Sequence, residues 1–143
     1  MNSTTPEQDF YAWTQKQAQL LRTGKLDEID WQNIAEEIED MGRSEKRQLE
    51  SRLEILIMHL LKWQFQPNLR SRSWQLTIKE QRLRLEKLLQ ENPSLQGNLM
   101  EVIAKVYPLA SLSAERETGL SLFPEVCPYH VTEILLDDFL PKE

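Results

Sequence analysis

The residues best placed to do chemistry stand in Glu36-Glu37-Ile38-Glu39-Asp40, the densest acidic stretch of this 143-residue chain. On a helix Glu36 and Asp40, four apart, share a face, and Glu37 and Asp40, three apart, also meet. Like charges so spaced repel by about 0.2–0.5 kcal/mol per pair unless a cation lies between them. Mg²⁺ or Mn²⁺, hard ions that take oxygen ligands, would serve; so would an Arg or Lys side chain. His59 is the natural acid–base partner. On a facing helix it would make Glu36, Glu37, Asp40 and His59 a candidate catalytic group, with Glu36, Asp40 and His59 as candidate metal ligands. The plain alternative is a polar contact of His59 beside an apolar stripe. Acidic metal sites in bundles usually repeat their motif and add Glu-x-x-His, and no Glu-x-x-His exists here.

A second group mixes aromatics, amides and arginines: His59-Leu-Leu-Lys-Trp-Gln-Phe-Gln-Pro67, then Arg70-Ser-Arg-Ser-Trp74. Arg82 follows two helical turns beyond Trp74. Arg70, Arg72 and Arg82 are candidates for an anion site, since arginines among aromatics bind phosphates and stack on bases. They fit equally a helix corner with Trp63 and Trp74 in the core and the arginines paired with Glu36, Glu37 or Asp40. His130 reads as a surface residue. There is no phosphate-binding glycine loop, no serine elbow and no His-Glu-x-x-His. Cys127, the single cysteine, excludes an internal disulfide and a cysteine zinc cage and reads as a packing residue.

Charge and composition bound the rest. Residues 1–42 hold 3 basic and 9 acidic residues, a balance of −6; residues 43–86 hold 10 and 5, a balance of +5; residues 87–143 hold 4 and 9, a balance of −5. A basic middle is one footprint of nucleic-acid binding, but a net charge of −6 is far from the basic domains that usually do it, so nucleic acid is possible but not the favoured partner. The alternative is acidic segments folding onto the basic one. No apolar run approaches the ~18 residues of a membrane span, and the polar start, Met1 to Phe10, is not a secretory signal. A cytoplasmic protein without a membrane is expected.

The elements that must position these residues are helical. Gly and Pro together number only 11, too few for a fold built on many tight turns. Thr5-Pro6 with Gln8 predicts a first helix carrying Phe10, Trp13, Gln17, Leu20 and Leu21, ended at Gly24. A second begins at Asp30 with Trp31, Ile34, Ile38 and Met41. The third, Ser44 to Gln66, has the stripe Leu49, Leu53, Leu56, Ile57, Leu60 and Leu61. Asp40–Glu45 reads either as a break or as a kink in one longer helix. A fourth helix runs from Ser73 to Glu91 on Trp74, Ile78, Leu83, Leu85, Leu88 and Leu89. Ser94 caps a fifth, Pro108 kinks or breaks it, a sixth spans Leu109–Thr118 to Gly119, and a short last one spans Pro128–Leu136. Phe139 packs back.

Together Asp9-Phe-Tyr-Ala-Trp13, Ala35-Glu-Glu-Ile-Glu39 with Met41-Gly42, His59-Leu-Leu-Lys-Trp63, Gln66-Pro67, Ser73-Trp74, Thr77-Ile78, Gln81-Arg82, Glu117-Thr-Gly119, Phe123-Pro124 and Cys127-Pro128 resemble domain-of-unknown-function family twenty-nine over essentially the whole chain. The resemblance implies an all-α fold and no activity. The resulting expectation is a single helical domain, 1–143, all-α: a bundle of three longer helices with a shorter helical C-terminal part. Its expected role is that of an interaction or scaffold protein that associates with itself or another protein and needs no cofactor. The alternative is a hydrolase or nuclease using Mg²⁺ or Mn²⁺ on a phosphate-bearing substrate.

Overall fold

The structure, a computed structural model, describes residues 4–142. Every regular element among them is helical: α1 (Phe10–Arg22), α2 (Trp31–Phe65), α3 (Arg72–Glu91), α4 (Leu99–Thr118) and α5 (Val131–Leu135), with single 3₁₀ turns at Leu26–Glu28 and Pro67–Leu69 and a longer one at Pro93–Asn98. The all-α expectation holds, while several boundaries differ from the sequence reading. Ser94 caps no α-helix, because Pro93–Asn98 winds as 3₁₀ and α4 starts only at Leu99; α5 starts at Val131, three residues after Pro128. Thr5 and Gln8 do exchange capping bonds, 3.3 Å each, but they close one turn only. Asp9 caps α1, its carboxylate accepting from Ala12 N at 3.0 Å. The second and third helices are one, because Gly42 is tolerated inside a helix at modest cost. α4 runs through Pro108, which is exposed while Val106, Tyr107 and Ala110 on the other side are buried in the core. α3 starts at Arg72, capped by Ser71 Oγ, which accepts from Trp74 N at 3.1 Å. Gly24 and Gly119 end α1 and α4 near φ +70° and +74°, the left-handed conformation glycine adopts without strain.

Two compact units divide the chain, one up to Ser44 and one from Glu45 onward. The first is small: Trp13, Leu20 and Ile29 are its buried apolar residues, with Gln17 beside them. Its centre is polar and fully matched. Asp30 accepts from Trp13 Nε1 at 3.0 Å and from Asn33 Nδ2 at 2.8 Å, and its own N–H donates to Gln17 Oε1 at 2.8 Å. Asp30 thereby caps α2 and joins it to α1. Phe10 and Leu21, placed on the α1 stripe by spacing, are exposed.

The second unit has a leucine core. Leu49, Leu53, Leu56, Ile57, Leu60 and Leu61 of α2, the stripe read from the sequence, pack with Ile78, Leu85, Leu88 and Leu89 of α3, the inner face of α4, and Ile134 of α5. Leu83 points into solvent instead. Phe139 packs against this core, edge-on to Tyr129 with ring centroids 6.0 Å apart.

Candidate functional site

The last turns of α2 place His59, Lys62, Trp63 and Gln66 at steps of three and four, beside the leucine stripe. His59 Nδ1 lies 2.8 Å from the carbonyl of Ile55, one turn back. That bond requires Nδ1–H and leaves Nε2 as the free acceptor. Burial holds the imidazole pKa below its usual value, and the Lys62 charge adds to this while Glu117 opposes it. Lys62 is buried, yet its ammonium donates to Glu117 Oε1 at 3.2 Å and sits 4.6 Å from the Trp74 ring centroid. Charge pairing and the aromatic face replace the water it gives up.

The arginines separate. Arg70 Nε donates to Trp63 O at 2.7 Å, and its guanidinium lies 5.1 Å from the Trp63 ring centroid. It satisfies a carbonyl left open at the end of α2. Arg72 is exposed and reaches only Gln75, at 3.1 Å. Arg82 is buried and donates to three carbonyls, Ile134 at 2.9 Å and Glu133 and Asp137 at 3.3 Å, so it closes the C-terminal end of α5. The structure does not bring the three together as one anion site.

The acidic residues stand on the same helix as His59, not on a facing one. Glu36 is exposed and Glu37 half-buried, and neither has an ion-pair partner among the described residues. Asp40 and Glu39 pair instead with Arg43 on the next turn, Glu39 at 3.7 Å. Among the described residues no three of His, Cys, Asp or Glu stand close enough to hold a metal ion. His130 is exposed. Two features escaped the sequence reading: Lys62 with Glu117, and the Asp30 corner with Gln17. The signals were a lysine inside the run Leu60-Leu61-Lys62-Trp63 and a glutamine on the stripe between Trp13 and Leu20.

What the first unit does present is an uncovered apolar face. Trp31, Ile38 and Met41 are 54%, 60% and 64% exposed. Ile34, Ile38 and Met41 recur at four and three residues, so they line one side of α2. Glu36, Asp40 and Arg43 project from the opposite side. No described helix is long and apolar enough to cross a membrane.

No curated protein and no solved structure matches the chain. Residues 6–140 match the family described as Domain of unknown function DUF29, and the chain belongs to that family.

Proposed function

We propose that this is a helical interaction protein whose binding surface is the Ile34-Ile38-Met41 face of α2 and whose first partner is a second copy of itself. The observation that carries this reading is the exposure of Trp31, Ile38 and Met41 on a helix whose later stripe is wholly covered. Exposed apolar clusters of this kind mark interaction sites. A two-fold pairing sets Ile38 of one copy against Met41 of the other, the self-complementary arrangement of homodimers. It also leaves Glu36, Asp40 and Arg43 on the outer side in water. Arg43 supplies counter-charge to Glu39 and Asp40, which supports a reading without a metal.

Sedimentation over a range of concentrations tests the proposal. The wild-type chain should associate, and Ile38→Glu and Met41→Glu should each abolish association without changing the helical circular dichroism. A wild type that stays monomeric at every concentration sinks the reading. Mg²⁺ or Mn²⁺ should leave the melting temperature unchanged; a metal-dependent rise lost in both Glu36→Gln and Asp40→Asn would turn the assignment toward a metal-dependent hydrolase.

A further inference from the structure

The second unit contains a cavity that the proposed interaction does not use. Its volume is about 480 Å³, within the ~300–1,000 Å³ of small-molecule sites. One wall is a single face of α4, with Met100, Ile103, Ala104, Tyr107 and Pro108 at steps of three and one. The segment from Glu125 to Thr132 makes the other. Two hydrogen bonds set these walls in place without the help of a ligand. Tyr107 Oη donates to Pro124 O at 2.6 Å, tying α4 to the segment, and Tyr129 Oη donates to Gln64 Oε1 at 2.7 Å. Both phenols are therefore engaged, and the rings are left as apolar walls. A preformed cavity costs a ligand little ordering. At the mouth Met100 and Val126 are 75% and 77% exposed.

The one carboxylate lining this cavity is that of Glu125. Pro108 has no N–H, so the carbonyl of Ala104, four residues earlier, lacks its regular i+4 donor. Glu125 supplies a carboxylate and His130 an imidazole, and no Lys or Arg lines the space. An anionic ligand would find no counter-charge there. A cationic one would find a carboxylate, an open carbonyl and the face of an aromatic ring.

We infer that this cavity binds a small hydrophobic amine. Its ammonium is received by Glu125 and the Ala104 carbonyl, and its hydrocarbon part lies on Ile103, Tyr107 and Val126. Cys127 serves as a reporter. It is the only cysteine of the chain and lines the cavity. Burial holds its thiol above the ordinary range, so it is a poor nucleophile.

The test compares octylamine, octanol and octanoate, which share a chain length and differ in head-group charge. The readout is the rate at which methyl methanethiosulfonate modifies Cys127 at fixed pH, with calorimetric titration of each compound as a measurement free of thiol chemistry. Octylamine should protect Cys127 saturably and bind about tenfold tighter than octanol, the worth of one charge-assisted hydrogen bond. Octanoate should do neither. Glu125→Gln should reduce octylamine to the level of octanol, while Glu101→Gln, on α4 outside the cavity, should change nothing. Octanoate binding as well as octylamine, no saturable octylamine binding by either measurement, or an unchanged preference in Glu125→Gln would each overturn the inference.

Discussion

In the second unit the α2 residues Leu49, Leu53, Leu56 and Leu60 are buried with α3 and α4 in one core. In the first unit the same helix holds Trp31, Ile38 and Met41 in solvent. The two stretches obey the same helical periodicity. What differs is the supply of covering elements. The second unit has two 20-residue helices to lay over its stripe. The first has one 13-residue helix, whose buried residues converge on the Asp30 corner. Periodicity therefore identifies a face that needs cover but not the molecule that supplies it.

The largest effect that can break this contrast is a pair of truncations. Leu60→Ala should destabilise by about 2–5 kcal/mol, the usual cost of a cavity at a buried leucine. Ile38→Ala, measured by urea unfolding at a concentration too low for association, should stay within about 0.5 kcal/mol of wild type. Equal losses would mean that the first-unit face is covered within a single chain.

Next in size is the polar corner that substitutes for a core in the first unit. Asp30→Ala removes the cap of α2 and leaves the buried Trp13 Nε1–H without its acceptor. The expected loss is about 1–3 kcal/mol. Trp13 fluorescence should report it before the global helical signal does, if the unit opens by itself. A loss below half of that range would mean that water replaces the carboxylate freely.

The sequence made the helices and the second core legible because both rest on local periodicity. Leu49 through Leu61 were placed from spacing alone. The same spacing puts Leu83 and Phe10 on their stripes, yet both are exposed, since a stripe wider than the neighbouring elements leaves its margin in solvent. At Gly42 and Pro108 the sequence left break and continuation both open, because each weakens a helix by an amount that flanking contacts can outweigh. The candidate site was legible by residue and not by partner. His59, Arg70 and Arg82 all make polar contacts, but to carbonyls of Ile55, Trp63 and Ile134. Every residue offers a carbonyl, so no pattern of residue types announces such a contact.

Gly42 gives a smaller and sharper test of the continuous helix. A Cβ built there meets nothing within 4 Å, so Gly42→Ala should stabilise by about 0.5–1 kcal/mol through helix propensity alone. Destabilisation would place a partner or a bend at this position.

The smallest expected effect comes from His59, whose half-buried ring ties the last turns of α2 to the charges around them. Burial lowers its pKa in the fold from the ordinary 6.5; the hydrogen bond to the Ile55 carbonyl opposes this, the nearby Lys62 charge adds to it and Glu117 opposes it. As pH falls below about 6.5 the unfolded chain takes up a proton that the folded chain resists. The His59 contribution is thus fully present above pH 6.5 and diminishes as pH drops toward the lower, folded-state value. Glu117→Gln removes the opposing carboxylate, so it should steepen the decline, while His59→Gln should remove this part of it altogether. Urea unfolding of the three proteins between pH 8 and pH 5 makes the comparison. A wild-type profile parallel to that of His59→Gln would show that the ring protonates as freely in the fold as outside it. A rise in wild-type stability relative to that variant on acidification would mean that the Ile55 hydrogen bond and Glu117 together outweigh burial and Lys62, and that the end of α2 favours an imidazolium.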